Sequence, residues 1–539
     1  MATPSIRLAD RVLTRLLRLP PPTNAFTVTR DVVVPMRDGI DLLADHYAPS
    51  TTTPAGTILI RGPYGRGPLA AFQTVRAFAS RGYHVILQSV RGTFGSGGEF
   101  EPGRREVEDG ADTVAWLRAQ PWFTGRFATM GGSYLGFTQW AMLADPPPEL
   151  AAAVISVGPH DISDAVWGTG SFLLGDFLGW SDLVARQEDG RFKPFIVGLA
   201  GRWRVDPALR ALPLGDAAKS LLGETAPWYH SWVAHPDKTA EYWHPTQLRS
   251  ALDKVDVPIL LITGWQDLFL EQTLYQFRHL RSRGVDAGLT VGPWTHGQIG
   301  LGGAGQTTRE SLDWLAEHLA QTHSRARRDR VRIFVTGAQE WRDLAHWPPD
   351  CDTKVLYLHP NSTLSEQAPA PRAPSSHFVY NPADPTPTVG GRLLSTAAGY
   401  RNDARLAKRG DVLSFTGPAL TEDLEVIGTP FVELVHSTDI PYADVWVRVS
   451  DVDPKGRSRN VSDGYVRLPP DRAQPLRLNL DAIAHRFGAG HRIRLLIAGG
   501  SHPRYARNLG TGEPPLTGSR LQPSTHTIAH GSSRLVLPM

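Results

Sequence analysis

Short apolar runs that alternate with helical patterns are the feature that most constrains the fold of this chain. A hairpin pattern from Phe26 to Pro49, with a turn at Met36-Arg37-Asp38-Gly39, precedes these runs. Helical patterns at Leu69–Arg81 and Val107–Gln120 separate some of them. Buried runs that alternate with helices are typical of βαβ units, so we predict a parallel sheet in an α/β domain. The apolar runs are Thr57–Ile60, Tyr83–Val90, Phe127–Met130, Ala152–Val157, Val257–Thr263 and Gly288–Val291.

The alternation is interrupted once, in the middle of the chain. Between about His160 and Ala251 the sequence is rich in Trp, Phe and helix formers and has no clear strand. We interpret this interval as a helical insertion. The sheet pattern then resumes at Val257 and ends with a helical pattern at Thr308–Leu319.

After about Arg330 the sequence changes to short β-like runs, such as Val331–Val335, between Pro, Gly and Asp turns. This pattern favours an all-β sandwich. A Pro-rich stretch, Gln367–Pro387, is interpreted as a surface excursion. The predicted organisation is an α/β domain in two parts, a helical insertion and a C-terminal sandwich, with the boundaries 1–159, 160–250, 251–328 and 329–539.

Composition excludes several classes of protein. The formal charge of +3 on 539 residues is too balanced for a protein whose main partner is nucleic acid. The single cysteine, Cys351, excludes an intrachain disulfide. No pattern of Cys and His has the spacing of metal ligands, so we expect neither a metal nor a cofactor.

The N-terminal segment predicts an amphipathic helix, in which Leu13 and Leu17 recur at helical spacing between arginines. We expect this helix to pack on the protein body, with contact to a membrane surface as the alternative. The arginines interrupt every apolar run, so the segment is not a secretory signal, and we expect a cytoplasmic protein. No stretch reaches the roughly 18 apolar residues of a membrane span.

The segment Phe127–Gly136 predicts the chemistry. An apolar run leads into Gly131-Gly132, then Ser133, and then a helical pattern. This is the order of a nucleophile elbow, a sharp strand-to-helix turn that presents a serine above the sheet. The motif departs from G-x-S-x-G, because Leu135 holds the fifth position and the glycine follows at 136.

A serine nucleophile needs a base and an orienting acid, which in this fold follow later strands in the order acid, then histidine. Asp267 follows the run Pro258–Thr263 and a turn, Gly264-Trp265-Gln266. His296 follows another run and a turn, Gly292-Pro293-Trp294-Thr295. We therefore predict that Ser133, His296 and Asp267 form a catalytic triad.

The elbow geometry also predicts that the backbone N–H of Tyr134 donates to the oxyanion of the transition state. Tyr64, in the loop after the third strand, offers a phenol hydroxyl, although the residues alone favour an aromatic plug. A glycine-rich loop at Arg91–Gly98 lacks the lysine of a P-loop. Arg91 and Glu99 are expected to take part in ion pairs.

These segments together resemble the family of cocaine esterase, α-amino-acid ester hydrolases and X-Pro dipeptidyl-peptidases. The likeness covers the chain from about residue 28. The motif G-x-S-Y-x-G, whose last glycine comes one position later than in G-x-S-x-G, is the form that the family has. His502 departs from the family pattern, since it stands where phenylalanine is usual in F-P-R-x-x-R-N. The segments that carry the resemblance are Arg61–Tyr64, Val90–Gly92 with Ser96–Gly98, Asp112–Trp116 with Gln120–Trp122, Gly131–Gly136, Gly264–Asp267, Gly292–His296, Thr421–Gly428 and His502–Asn508.

The resemblance implies an α/β-hydrolase domain with an inserted helical cap and a C-terminal jelly-roll sandwich. Position by position, it implies that Ser133 is the nucleophile, His296 the base and Asp267 the orienting acid. It also implies that the Tyr64 hydroxyl is an oxyanion donor beside the amide of Tyr134. The sandwich is expected to be a wall of the active site or an oligomer contact, which leaves a homodimer open.

The expected substrate is a small ester or a short acyl-peptide. The leading hypothesis is an esterase for acids with a hydrophobic or aromatic acyl group. Release of X-Pro dipeptides or hydrolysis of amino-acid esters would require a carboxylate for the substrate's amine, and Asp164, Asp176 and Asp182 are the candidates. A catalytically idle ligand-binding protein is the alternative from another class. Four residues of the insertion are expected to line an acyl pocket or to form the core of the cap: Trp167, Phe172, Phe177 and Trp180.

Overall fold

The computed structural model describes the chain in two units that are discontinuous in sequence. The first unit comprises residues 1–162, 241–264 and 271–332, and the second comprises 163–240, 265–270 and 333–539. The ranges that the structure describes are 6–67, 75–189, 203–322, 329–471 and 475–539. No helix among these described residues is long and apolar enough to cross a bilayer.

The first unit is built on a sheet whose strands are ordered β1-β2-β4-β3-β5-β6-β7-β8. The first two strands form the predicted hairpin, and β4 continues it antiparallel to β2. The pairs β3–β4, β3–β5, β5–β6 and β6–β7 are parallel, which confirms the sheet predicted from the apolar runs. The strands are β1 (Phe26–Pro35), β2 (Asp41–Pro49), β3 (Thr57–Gly62), β4 (His84–Ser89), β5 (Phe127–Gly132), β6 (Leu150–Ser156), β7 (Ile259–Gln266) and β8 (Ala287–Thr295).

Helices lie in the described parts of the intervals from β3 to β8 and in the described parts of the insertion. The predicted helix at 107–120 is α2, and the one at 308–319 is part of α10. Of the predicted helix at 69–81, residues 75–79 are helical and 68–74 lie outside the described residues. The helices are α1 (Leu8–Leu17), α2 (Glu106–Arg118), α3 (Tyr134–Met142), α4 (Ile162–Trp167), α5 (Leu174–Arg186), α6 (Leu214–Leu222), α7 (Pro227–Ala234), α8 (Arg249–Lys254), α9 (Leu270–Ser282) and α10 (Ala304–His318).

Helix α1 packs on the body of the first unit, as the sequence predicted. Leu13 joins the core cluster that contains Leu312 and Leu315 of α10. Asp10 is buried and pairs with Arg76 at 2.7 Å. The helix is therefore fixed by both an apolar contact and an ion pair, while Leu16 stays exposed.

The described residues of the insertion in the second unit, 163–189 and 203–240, form helices joined by turns and loops, and no strand occurs among them. Helices α5, α6 and α7 lie within it, and residues 203–210 are also helical. These helices cluster with the C-terminal part of the chain and do not form a unit of their own.

The C-terminal part of the second unit is rich in β-strands, as the turn-rich pattern predicted. Its main sheet has the order β18-β17-β21-β14-β12-β11-β22-β16-β19, with β13 paired to β22, and β15 pairs with β20 in a second sheet. The strands are β9 (Val331–Val335), β10 (Glu340–Leu344), β11 (Thr353–His359), β12 (Thr363–Ser365), β13 (Ser376–Tyr380), β14 (Val412–Thr416), β15 (Leu424–Gly428), β16 (Phe431–Thr438), β17 (Asp444–Val452), β18 (Ser458–Arg467), β19 (Leu476–Asn479), β20 (Ile483–Phe487), β21 (Arg492–Ala498) and β22 (Ser524–Pro538).

One local prediction is wrong and another is confirmed in part. The Pro-rich stretch is not wholly a surface excursion, because its centre forms β13, which pairs with β22 and buries Phe378 and Tyr380. Its prolines flank the strand and so leave the ladder intact. The expected ion pairing of Arg91 is confirmed, since Arg91 pairs with Asp109 at 2.6 Å and with Asp38 at 2.9 Å, whereas Glu99 forms no ion pair among the described residues.

Candidate active site

Ser133 lies at a sharp turn between β5 and α3. Its backbone has a positive φ of 60° and a ψ of −125°, a conformation that residues other than glycine rarely adopt. The N–H of Ser133 donates to the carbonyl of Ser156 at 3.0 Å, and its own carbonyl accepts from the N–H of Gly136 at 2.8 Å. Strain at a non-glycine residue costs on the order of 1–3 kcal/mol and persists only where surrounding structure enforces it. The geometry is that of a nucleophile elbow.

The displaced glycine of the motif has a packing reason. A Cβ built on Gly136 would fall 2.6 Å from the Cα of Gly158, which follows β6. Helix α3 therefore touches the neighbouring chain segment through backbone atoms at this position. Any side chain at 136 would push the first turn of α3, and with it Ser133, away from the sheet.

Leucine at position 135 is accommodated by two glycines on the facing strands. A Cβ on Gly62 would lie 2.4 Å from Leu135 Cδ1, and a Cβ on Gly131 would lie 2.5 Å from Leu135 Cβ. The Leu135 side chain thus occupies the space that these glycines leave open. This explains why the fifth position of the motif need not be glycine in this chain.

The side chain of Tyr134 anchors the elbow through buried hydrogen bonds. Its hydroxyl donates to Glu106 Oε1 at 2.8 Å and accepts the N–H of Gly103 at 2.8 Å. Glu106 in turn pairs with Arg61 at 3.2 Å, and all of these side chains are buried. Burial raises the pKa of the Glu106 carboxyl and that of the Tyr134 phenol. Sequence analysis did not identify Glu106, because nothing in α2 shows which of its acids points inward.

The backbone amide of Tyr134 has different surroundings from its buried phenol. Tyr134 is the first residue of α3. The N–H groups of a first helical turn have no partner within the helix and can donate to an anion. The amide of Tyr134 thus lies at the start of α3, whereas its hydroxyl is bound to Glu106 and Gly103.

Tyr64 follows the end of β3 in a loop that is held by Arg66. The guanidinium of Arg66 contacts Asp45 at 3.2 Å, Asp31 at 2.6 Å and the Ser89 hydroxyl at 2.5 Å. Arg66 is buried, whereas Tyr64 is half-buried. The loop is thus fixed on both sides of Tyr64, by β3 and by this buried cluster, which the sequence did not reveal.

Asp267 and His296 each come directly after a strand. The expected turns before them are strand, since β7 runs to Gln266 and β8 to Thr295. Asp267 is fully buried, and His296 is 8% exposed at the start of a short 3₁₀ helix, Gly297–Gly300. The predicted glycine turns failed because these glycines serve packing: a Cβ on Gly264 would lie 2.2 Å from the carbonyl oxygen of Trp294.

The segment that carries Asp267 is anchored within the second unit. Trp265 Nε1 donates to the carbonyl of Phe334 at 2.7 Å. Gln266 Nε2 donates to the carbonyl of Val461 at 3.4 Å, and Arg392 donates to the carbonyl of Leu268 at 3.4 Å. Tyr64, Ser133 and His296 belong to the first unit, after β3, β5 and β8 respectively.

The four aromatic residues proposed for an acyl pocket belong to one aromatic cluster of the insertion. Trp167 and Phe172 are fully buried, with ring centroids 5.2 Å apart. Phe177 packs edge-on against Trp232 at 5.4 Å. Trp180 stacks on the same indole at 5.9 Å and stays half-buried. Trp180 therefore retains accessible surface that Trp167 and Phe172 have lost.

Each candidate carboxylate for a substrate amine already has a protein partner. Asp182 is buried and pairs with Arg186 at 2.9 Å and with Arg204. Asp164 pairs with Lys238 at 2.8 Å. Asp176 accepts the N–H of Leu394 at 2.7 Å. Among the described residues, no group of three or more His, Cys, Asp or Glu side chains is arranged to hold a metal ion.

Comparison with known proteins places the chain in a family. Residues 38–298 match the family model of the X-Pro dipeptidyl-peptidase (S15 family), and residues 323–535 match that of the X-Pro dipeptidyl-peptidase C-terminal non-catalytic domain. The chain is 31% identical to a cocaine esterase of Rhodococcus sp. (strain MB1 Bresler), with 90% of this chain and 93% of the relative covered.

Solved structures show the same fold at lower identity. An aminopeptidase from a marine sediment Thaumarchaeota archaeon superposes with a TM-score of 0.81 at 24% identity, covering 95% of this chain and 96% of that one. An α-amino acid ester hydrolase superposes with a TM-score of 0.80 at 24% identity, covering 96% and 98%. The chain therefore belongs to the hydrolase family of X-Pro dipeptidyl-peptidases (S15) and cocaine esterase, with an α/β-hydrolase fold and a β-rich C-terminal domain.

Proposed function

We propose that this chain is a serine esterase that works through Ser133, His296 and Asp267. The observation that carries the proposal is the left-handed backbone of Ser133 between β5 and α3, since strain of this kind is a feature of nucleophile elbows. The buried Asp267 and the nearly buried His296 follow later strands in the order that the fold requires.

The proposed reaction has two halves. His296 accepts the proton of the Ser133 hydroxyl while the oxygen attacks the ester carbonyl and forms a tetrahedral intermediate. The intermediate collapses, the alcohol leaves with the proton held by His296, and an acyl-enzyme remains. Water then loses its proton to His296 and attacks the acyl carbon, which releases the acid and restores Ser133. Asp267 is proposed to hold the imidazole in the tautomer that this sequence needs.

The oxyanion of each intermediate is proposed to accept hydrogen bonds from the Tyr134 amide and the Tyr64 hydroxyl. The position of Tyr134 at the start of α3 supports the first donor. The loop fixed by Arg66 supports the second, because a side-chain donor stabilises charge well only if its position is set in advance. Each such donor is worth on the order of 10²–10³ in kcat.

The carboxylates of the insertion are already bound to protein groups, which supports an ester substrate over a substrate with a free amine. Asp164, Asp176 and Asp182 all have partners inside the second unit. A substrate ammonium at Asp164 or Asp182 would have to compete with a cation that is already bound there. The proposed acyl group is hydrophobic or aromatic, with Trp180 as the part of the aromatic cluster that remains accessible.

Hydrolysis of X-Pro peptides or amino-acid esters is the second candidate, and the match to the S15 family model favours it. The two candidates differ in the group that binds beside the acyl carbonyl. A direct comparison of phenyl benzoate with Ala-Pro-4-nitroanilide separates them. We expect kcat/KM for the aryl ester to exceed that for the anilide by at least 100-fold, and the reverse ranking would replace the esterase by a dipeptidyl-peptidase.

The nucleophile is tested separately from the substrate. Ser133→Ala should abolish turnover of whichever substrate is hydrolysed, with an unchanged far-UV spectrum and thermal midpoint. The matched control is Ser163→Ala, a buried serine of α4 that has no proposed role in the chemistry. Full activity in Ser133→Ala would exclude the proposed mechanism.

A further inference from the structure

A cavity that is partly open to solvent lies within the second unit and has no role in the proposed chemistry. Its volume is about 250 Å³. All of its lining residues belong to the second unit, from the insertion and from the segments around 442, 467 and 502–515. An engineered apolar cavity of about 150 Å³ holds benzene, so this cavity has room for a six-membered ring with a small polar substituent.

The cavity has apolar walls on most sides. The residues that form them are Trp167, Leu174, Leu214, Leu468 and Leu509. All five of these side chains are less than 9% exposed, and Trp167 is fixed by a hydrogen bond from Nε1 to the carbonyl of Trp232 at 2.8 Å. Walls of this kind favour a ligand with an apolar or aromatic body.

One wall of the cavity carries the guanidinium of Arg507. Arg507 is half-buried and donates to two backbone carbonyls, from Nη1 to Pro382 at 3.2 Å and from Nη2 to Arg210 at 2.8 Å. No carboxylate of the described residues forms an ion pair with it. Burial lowers the pKa of the Arg507 guanidinium, but arginine keeps its proton in proteins.

The other charged groups of the cavity are already paired. Arg467 forms a two-pronged contact with Asp444, at 2.9 and 3.0 Å. Glu513, the acidic residue of the lining, pairs with Arg520 at 2.8 Å. Arg507 therefore gives the lining a net positive charge, and a guanidinium in an apolar wall is a strong partner for a carboxylate.

His502 supports the same conclusion. It lies beside Arg507, with 3.4 Å between its Nε2 and Arg507 Nη2, and its Nδ1 is 3.4 Å from the carbonyl oxygen of Tyr505. Burial, together with the charge of Arg507, lowers the pKa of the imidazole to about 4. The neutral ring accepts from Arg507 and orients it.

We propose that the cavity binds a small monocarboxylic acid with an apolar or aromatic body, whose carboxylate pairs with Arg507. The proposal does not depend on the chemistry assigned to Ser133. The ligand class follows from three features together: the volume, the apolar walls and the unneutralised guanidinium.

Calorimetric titration of the full chain with benzoate tests the proposal, with benzamide and acetate as matched probes. Benzamide keeps the ring and lacks the charge, and acetate keeps the charge and lacks the ring. We expect benzoate to bind at one site and each of the other two to bind at least tenfold more weakly. Equal affinity for benzoate and benzamide, or no binding of benzoate at millimolar concentration, would overturn the proposal.

Variants then locate the site. Arg507→Gln should weaken benzoate at least tenfold, whereas Arg457→Gln, a change at an exposed arginine whose partner Asp453 does not line the cavity, should leave its affinity unchanged. Arg507→Lys keeps the charge and should retain part of the affinity. Leu212→Trp, which fills the cavity, should abolish binding without lowering the thermal midpoint by more than a few degrees. If benzoate affinity survives both Arg507→Gln and Leu212→Trp, the acid binds elsewhere.

The active site is excluded by a separate titration. A fluorophosphonate-treated chain should bind benzoate with the affinity of the untreated chain. Loss of binding after the treatment, with full affinity in Arg507→Gln, would assign the acid to Ser133 and reject the cavity. This result would leave the esterase proposal intact, so the two proposals fail independently.

Discussion

Gly136 and Gly158 lie so close together that a Cβ built on Gly136 would fall 2.6 Å from the Cα of Gly158. The contact joins the first turn of α3 to the segment after β6, one turn away from Ser133. We therefore expect Gly136→Ala to lower kcat at least tenfold and to destabilise the protein by roughly 1–3 kcal/mol, the usual range for overpacking. Ester hydrolysis and thermal unfolding measure the two effects.

The matched control is a helical glycine with open space around it. A Cβ on Gly179, in the middle of α5, would meet nothing within 4 Å. Gly179→Ala should be neutral or stabilising, by up to about 1 kcal/mol, because alanine favours helix. If both variants behave alike, the close approach of Gly136 and Gly158 does not position the elbow.

The two tyrosines proposed for the oxyanion hole should respond differently to loss of the hydroxyl. Tyr64→Phe removes a proposed donor, so kcat should fall by about 10²–10³ with little change in stability. Tyr134→Phe leaves the proposed donor, an amide, in place. It removes the hydrogen bonds to Glu106 and Gly103 and should cost about 1–3 kcal/mol of stability.

Steady-state kinetics and thermal unfolding of the two variants distinguish the roles. An unchanged kcat in Tyr64→Phe would mean that Tyr64 is an aromatic plug. This is the interpretation that the residues of the loop favour by themselves. A loss of 10² or more in kcat for Tyr134→Phe at unchanged stability would mean that the phenol, and not the amide, takes part in catalysis.

The sequence predicted the parts of the site that follow local rules. The strand before Ser133, the helix after it and the strand-end placement of Asp267 and His296 all depend on residues within about ten positions. The partner of Gly136 lies 22 residues away, across β6, and no local pattern identifies it. The contacts that fix the Tyr64 loop are likewise not local in sequence, because they join Arg66 to Asp31, Asp45 and Ser89.

The errors have the same origin. Glycines at 264 and 292 suggested turns, yet they lie in strands, where they make room for Trp294. Prolines in 367–387 suggested a loop and concealed the alternation that buries Phe378 and Tyr380. In each case a long-range contact decides the structure, whereas the local propensity of the residue indicates a different structure.

A buried pair of histidines should make the stability of the protein depend on pH. His46 and His84 lie on neighbouring strands, 2.9 Å apart, and His46 stacks on Trp122 with 4.0 Å between ring centroids. Burial, with a smaller effect from His84, lowers the pKa of His46 from 6.5 to about 4. Between these values the unfolded chain binds a proton that the folded chain does not.

The contribution of His46 is therefore complete above about pH 6.5 and is lost as the pH falls toward 4. Between pH 7 and pH 5 the loss amounts to about 2 kcal/mol. His46→Phe keeps an aromatic ring against Trp122 and removes the titration, so its thermal midpoint should fall several degrees less over this range. Parallel midpoints for the two proteins from pH 7 to pH 5 would show that His46 is not held neutral.

The insertion's carboxylates should contribute to stability and not to substrate choice. Asp182 is buried and binds two guanidiniums, those of Arg186 and Arg204. Asp182→Asn should lower stability by about 1.5–3 kcal/mol, the range for hydrogen bonds to charged groups. The ratio of kcat/KM for phenyl benzoate to that for Ala-Pro-4-nitroanilide should not change. A selective loss of anilide hydrolysis would make Asp182 the anchor of a substrate amine.

The identity of the nucleophile is the central claim, and covalent labelling tests it most directly. A fluorophosphonate should add one adduct per chain, located at Ser133 by peptide mass spectrometry, and the rate of inactivation should equal the rate of labelling. Ser133→Ala should remain unlabelled, and His296→Ala should react at least 100-fold more slowly. An adduct at another residue, or full ester hydrolysis by a chain that is not labelled at Ser133, would contradict the account.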